Sequence, residues 1–513
     1  MLTTKMTRRE LAEKTLGTAA AAFLATASGM AAPFGSGPNA SPPAAESKPA
    51  AKPGLTHYVA EFVVNTKYTD IPENVIELGR KSILDGLGLS LAGSVMKTGD
   101  LCRTYLNSLG LADRGATLIG TSMKVSPRFA AFTNGVGSHA ADYDDTQLAL
   151  GKDRVYGLLM HPTTPVLPAA LGLGEVKGIS GRDLMLAYQL GVEVECKIAQ
   201  AINPRHYVDG FHTTGTIGPF GGATAAAKIH GLDARWTANA YGIAGAEGAG
   251  LRANFGTMTK PFQAGHAAAS GVFAGDLSAI GWTASLDVLE DPSGFFHAAG
   301  GGYDPQYIDG KLGNPWTFAD PGVSIKPYPC ASLTHPGMTE MAKLISDNHI
   351  RADQVESVII GVNSDVPKAL FYHDPHTVLQ AKFSMEFCMT SLLLFDKAGL
   401  NQFQEKIVNS PEVQSMMKRV HMVVDPRSNA AGLEKMRTYI TMHLKDGRTI
   451  TGMADFAKGS PSNPMSFDEV AAKFSDNAEF AKWPIKKSKA VIEMVRTLEN
   501  VSNVQALAAL LAA

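Results

Sequence analysis

The chain is 513 residues long, 45% hydrophobic and 18% charged, with a formal net charge of −2. That length supports two or three domains with substantial cores, and the composition excludes a disordered chain. So small a net charge, with no basic stripe and interleaved aromatics, excludes a nucleic-acid binder, so any anionic partner must be held by a local site.

In chain order, "MTRRELAEK" sets Arg8 and Arg9 ahead of the apolar, Ala-rich run "TLGTAAAAFLATASGMAA". This predicts a twin-arginine signal over residues 1–32, with cleavage at small residues such as Ala25-Thr26-Ala27 or Met30-Ala31-Ala32. The expected partner there is the twin-arginine export machinery, and the expected location is the periplasm. Residues 33–54, rich in Pro, Ala and Ser, read as a flexible linker.

Residues 55–320 carry helical signals. "PENVIELGRKSILDGLGLSLAG" opens with Pro72 in a first turn and repeats apolar residues at helical spacing to Gly93. "GRDLMLAYQLGVEVECKIAQAI" does the same, with Asp183 near its start. The Ala- and Gly-rich runs "ATAAAKIHGLD" and "HAAASGVFAGDLSAIGW" allow close helix contacts. From 321 to 461 the texture changes. "VESVIIGVNSD", "RVHMVVDP" and "RTYITMHLKDGRTITG" alternate apolar and polar residues, and Lys445-Asp446-Gly447 marks a turn between two strands. "AKFSMEFCMTSLLLFD" is a helix between them. The tail, 462–513, is helical again. The expected fold is mostly α with an α+β second domain: a large helical domain, completed by the tail, with an inserted α+β lid domain. Cys102, Cys196, Cys330 and Cys388 lack metal or redox spacing and read as buried free thiols.

Five polar segments carry the candidate chemistry. In "VGSHAADYDDT", a continuous helix would place His139, Asp142 and Thr146 on one face, with Asp144 and Asp145 turned elsewhere as structural residues. In "GLLMHPTTPVLPAALGLGE", His161 stands at a helix entry. In "DGFHTTGTIGPFGGATAAAK", His212 leads a helix whose N-terminus suits an anion, without the phosphate-loop pattern. "GLRANFGTMTKPFQAGHAAASG" supplies Lys260 and His266, and "SIKPYPCASLTHP" supplies Lys326, Tyr328, Cys330 and His335. Each segment alone also has a structural explanation. Together they offer imidazoles, a carboxylate, hydroxyls and lysines, an inventory suited to proton abstraction beside a carboxylate.

In this order, "HAADYDDT", "HPTTPVLPAALGLGE", "GFHTTGTIGPFGGATAAAKIHGLD", "GTMTKPFQAGHAAASG", "KPYPCASLTHP" and "AKFSMEFCMTSLLL" resemble the MmgE/PrpD family. Its members include 2-methylcitrate dehydratase, cis-aconitate decarboxylase and iminodisuccinate epimerase. The resemblance spans nearly everything from Leu55 onward. It implies a homodimer with an active site between its domains that works without metal or organic cofactor. It also implies a small polycarboxylate substrate. Carried over residue by residue, the catalytic set is His161, His212, Asp142 and Lys260, with Thr146 and Lys326 binding substrate; His266, which begins the helix after Lys260, is a further candidate for substrate binding. The two histidines would move protons, Lys260 would hold carboxylate or enolate charge, and Asp142 would orient a histidine or the substrate. Gln147, Gln263, His266 and Ala331 depart from the residues common in the family, and the segment between Thr146 and His161 is long, with Lys152 and Arg154.

The expectation is therefore an exported, cofactor-independent lyase of a di- or tricarboxylic acid, with dehydration the first choice. Decarboxylation and epimerisation share its early chemistry. A carboxylate-binding protein that has lost catalysis is a rival reading. A metal hydrolase built on His139, Asp142, Asp144 and Asp145 ranks last.

Overall fold

A computed structural model describes residues 54–111, 113–147, 160–202, 205–432 and 435–513. The twin-arginine segment, the linker as far as residue 53, and Lys152 and Arg154 lie outside the described residues.

The first region is helical: α1 (Leu55–Asn65), α2 (Glu73–Ser94), α3 (Lys97–Ser108), α4 (Pro127–His139), α5 (Thr163–Lys177), α6 (Gly181–Ala201), α7 (Thr213–His230), α8 (Ala234–Glu247) and α9 (Thr259–Ala279). A two-residue hairpin, β1 (Ala116–Thr117) with β2 (Lys124–Val125), precedes α4. α2 starts directly after Pro72, and it is buried at every position from Ser82 to Ser94. α6 is set by a capping box in which Ser180 Oγ accepts from the Asp183 N–H while the Asp183 carboxylate accepts from Ser180. Glycine decides how α9 packs. A Cβ on Gly265 would lie 2.4 Å from the Phe132 carbonyl oxygen of α4, and one on Gly271 would lie 2.5 Å from the Gly222 backbone of α7. Only hydrogen at these positions lets α9 lie against both neighbours.

The second region holds α10 (His335–Asn348), β3 (Val355–Val362), α11 (Met385–Phe395), β4 (Val420–Val424), β5 (Thr438–Leu444) and β6 (Thr449–Ala454). The sheet order is β4-β3-β5-β6, with β3 and β4 parallel and the other pairs antiparallel. Strict alternation in β5 buries Thr438, Ile440, Met442 and Leu444 on one face. Gly447, at φ +87°, makes the turn into β6. This region has its own core, which includes Met338, Val358, Ile360, Phe387 and Met442.

The tail forms α12 (Phe467–Phe480), α13 (Ile485–Arg496) and α14 (Gln505–Leu511). Its Val470, Phe474, Val491 and Leu507 share one core with Ile83, Leu87 and Tyr188. Burying a side chain such as Phe474 contributes roughly 1.5–3 kcal/mol. A buried ion pair, Lys473 Nζ to Asp85 Oδ1 at 2.6 Å, joins α12 to α2. The segment after α9 still packs Leu289, Phe296, Trp316 and Ile325 into this core; the chain then builds the α+β unit and returns.

Candidate active site

α4 ends at His139, and the following turn sets Asp142 in the left-handed region at φ +53°. Thr146 is already extended, paired with Ser324 through two backbone hydrogen bonds of 2.8 Å. The expected common helical face of His139, Asp142 and Thr146 does not exist. The helix stops because Asp144 and Asp145 turn inward to partners on α5. Thr164 Oγ1 donates to Asp144 Oδ2 at 2.8 Å, and the Thr163 N–H and hydroxyl both donate to the Asp145 carboxylate. Asp142 and Thr146 nonetheless reach one cavity of about 470 Å³, shared with His161, His212, Lys260 and Lys326. That volume lies within the usual range for small-molecule sites.

Two lysines converge on Asp142. Lys260 Nζ, from the first turn of α9, lies 2.7 Å from Asp142 Oδ1. Lys326 Nζ lies 3.3 Å from the same oxygen and donates to the Asp142 backbone carbonyl at 2.9 Å. Burial opposes ionisation of Asp142, but Lys260 and Lys326 outweigh it and hold the carboxyl well below the ordinary range. Lys382, which donates to the Ala141 carbonyl, is a third ammonium close by; burial brings it down to about 8.

Behind this floor lies a histidine cluster organised by Asp144. His139 Nδ1 is 2.9 Å from Asp144 Oδ2, and His161 Nδ1 is 3.1 Å from the same oxygen. Burial opposes the Asp144 charge as well, but His139 and His161 hold its carboxyl well below the ordinary range. Burial lowers His139 to about 4, so at neutral pH it is an uncharged donor to an ionised Asp144. The structural role expected of Asp144 is therefore corrected: it binds both imidazoles. Asp145, pushed up to about 7 by burial, faces away toward Thr163.

His212, the residue before α7, stacks near His139 with ring centroids 6.0 Å apart. Gln263, one turn after Lys260 on α9, fixes its tautomer. Gln263 Nε2 donates to the Leu251 carbonyl at 3.0 Å, which turns Oε1 toward His212 Nδ1 at 2.6 Å. An amide oxygen only accepts, so His212 Nδ1 carries the proton and Nε2 keeps its lone pair. That Nε2 is buried without a partner. Burial, then Lys260 and the other two imidazoles, hold His212 well below the ordinary histidine range, so it is a neutral base.

His266 does not join this site. It is six residues beyond Lys260 on the same helix, about 240° around the axis. It stacks on Phe262 and lines a different cavity with Phe132, Leu101 and Tyr105. Cys330 is fully buried against Thr334 Oγ1 at 3.1 Å, and all four cysteines are free and buried. Gln263, Asp144, Tyr207 and Arg252 are the residues that sequence reasoning missed. Only Gln263 carried a signal, as a departure lying one helical turn from Lys260.

A metal ion would find four ligand-type atoms here, from His139, Asp142, Asp144 and His161, all within 4.8 Å of one another. Asp145, the remaining ligand of the hydrolase reading, is outside that group. A cation seated on Asp142 would also face Lys260 and Lys326, so the donor set suits an anion better than a metal.

The fold is a helical body with an inserted α+β unit, and one cavity gathers its imidazoles with two lysines. Residues 57–308 match the MmgE/PrpD N-terminal domain and residues 328–500 the MmgE/PrpD C-terminal domain. The chain belongs to the MmgE/PrpD family. It is 26% identical over 473 residues to cis-aconitate decarboxylase of Homo sapiens, covering 89% of this chain and 94% of that protein. Cis-aconitate decarboxylase of Aspergillus terreus is 26% identical over 492 residues, covering 90% and 96%. The cis-aconitate decarboxylase-like protein oryM of Aspergillus oryzae is 23% identical over 482 residues, covering 89% and 97%.

Proposed function

We propose that this protein is a lyase that decarboxylates an unsaturated tricarboxylic acid of the cis-aconitate kind, using only its own side chains. The observation that carries this is the pairing, in one cavity, of two lysine ammoniums with a neutral histidine of fixed tautomer. Breaking the bond to the departing carboxyl sends its electron pair through the allylic system onto a remaining carboxylate, as a dienolate. Lys260 and Lys326 neutralise that charge where it develops. An imidazole that has taken a proton from solvent on its free nitrogen then passes that proton to the α carbon, so carbon dioxide leaves and one proton enters. His161, backed by Asp144, and His212, backed by Gln263, are the two candidates for that transfer.

Dehydration is the second reading, favoured by the presence of two separately supported imidazoles. One would remove the α proton while the other protonates the departing hydroxyl. Dehydration ranked first on sequence alone; the relatives named for decarboxylation reverse the order. Incubating the purified protein with a panel of polycarboxylates in D₂O, followed by NMR and carbon dioxide release, separates the two. Turnover of none of them would sink both readings.

Export is supported by Arg8-Arg9 and the apolar run that follows; fractionation of cells expressing the whole chain tests it. A homodimer is supported by the exposed apolar residues Leu101, Tyr105, Met258 and Phe262 around one groove. Light scattering of the purified protein tests it.

A further inference from the structure

The mechanism above uses two cations, yet the cavity has a third. Arg252 lines it with Tyr207 and Phe255. Its guanidinium lies over the Tyr207 ring, 3.9 Å from the centroid, and Nη1 donates to the Tyr207 backbone carbonyl at 2.9 Å. No carboxylate among the described residues pairs with it, and its Nε is buried with no acceptor. Among the described residues, the other cations lining this cavity are engaged: Lys260 and Lys326 both hold Asp142.

We infer that Arg252, steadied by the Tyr207 ring, is a carboxylate subsite of this pocket and makes the enzyme selective for acids with a third carboxylate. The inference rests on the reading of the site as one for a polycarboxylate. Its physical basis is the planar fork of guanidinium donors, which pairs with a carboxylate through two parallel hydrogen bonds. Stacking on Tyr207 and the bond from Nη1 fix the plane of the fork before substrate arrives, so little side-chain freedom is lost on binding. The bond to the Tyr207 carbonyl occupies only Nη1. The backbone holds the group in register with the proton-transfer site. The Arg252 N–H donates to the Gly210 carbonyl at 2.8 Å, and the His212 N–H donates to the Gly250 carbonyl at 3.0 Å. The segment carrying Arg252 is thereby tied to the one carrying His212. A substrate spanning the cavity would place one carboxylate on the lysines and another on Arg252, with the reacting carbon near His212.

The test compares wild type, Arg252→Leu and Arg252→Lys on cis-aconitate and on an unsaturated dicarboxylate that lacks one carboxymethyl arm. Arg252→Leu should lower kcat/KM for the tricarboxylate by about 10- to 100-fold, mainly through KM, as expected for a lost charge-assisted pair. The dicarboxylate should lose far less, and Arg252→Lys should recover part of the loss. Equal losses on both acids, or none on either, would overturn the subsite while leaving the lyase reading intact. If wild type turns over neither acid, the lyase reading falls. Calorimetry then decides the subsite: it stands if the tricarboxylate binds wild type more tightly than Arg252→Leu, and falls if the two bind it alike or not at all.

Discussion

Gln263 offers the sharpest test of the acid–base arrangement, because it acts on the chemistry only through His212. Its amide is held by the Leu251 carbonyl at one end and presents oxygen to His212 Nδ1 at 2.6 Å at the other. Gln263→Leu removes that acceptor and leaves a buried N–H without a partner, at a cost of about 1–3 kcal/mol in stability. The imidazole is then free to take the opposite tautomer, in which Nε2 carries the proton and is no longer a base. Losing a tautomer preference of about 1.4–2.8 kcal/mol corresponds to about 10- to 100-fold in kcat, with little change in KM. Gln263→Glu keeps an acceptor for His212 Nδ1, loses the donor to the Leu251 carbonyl and adds a negative charge. Burial and neighbouring cations hold His212 well below the ordinary histidine range, and a carboxylate in contact should raise it by about 1–3 pH units. The limb of kcat/KM against pH that reports His212 should therefore move upward in the Glu variant. A Leu variant with wild-type kcat, or a Glu variant with an unmoved profile, would refute the tautomer argument.

Lys260→Ala should lower kcat/KM by about 100- to 1,000-fold in steady-state assays, the usual cost of removing a donor aimed at developing negative charge. His266→Ala should leave kcat/KM unchanged, since His266 lines the separate cavity beside Phe262. Lys473→Met should destabilise the fold by about 3–5 kcal/mol in urea titrations, because it strands buried Asp85; adding Asp85→Leu should restore most of the loss. Burial pushes the Asp145 carboxyl up to about 7, so its stabilising contribution is full below the unfolded carboxyl range and is lost as pH rises through that value. Asp145→Asn should gain on wild type between pH 4 and pH 8 by up to about 4 kcal/mol in denaturation free energy, and a pH-independent difference would contradict this.

The periodic parts of the fold were legible because their causes are local. Pro72 begins α2, Ser180 and Asp183 cap α6, and alternation around the Lys445-Asp446-Gly447 turn produces β5 and β6. The stretch from His139 to Thr146 was misread because helical spacing assumes a continuing helix. What ends the helix is remote in sequence: Thr163 and Thr164 supply hydroxyls that draw Asp144 and Asp145 inward. Arg252 is an ordinary arginine until Tyr207, in another segment, packs behind it.

The placement of the site follows from one property that sequence did display, the small residues of α9. Gly265 permits α9 to touch α4, and Gly271 permits it to touch α7. Those two contacts bring together the end of α4, where Asp142 follows, the start of α9, where Lys260 stands, and the start of α7, where His212 stands. A bulkier residue at Gly265 would push α9 from α4 and lengthen the 2.7 Å Lys260–Asp142 contact. Lys260 would then face the cavity as an unpaired, mobile cation, and the charge that polarises the substrate would lose its fixed position. The glycines that look like packing residues are in this sense positioning residues for the site. Gly265→Ala should therefore lower kcat even in protein that remains folded by circular dichroism; a folded variant with wild-type kcat would show that α9 can shift without disturbing the site.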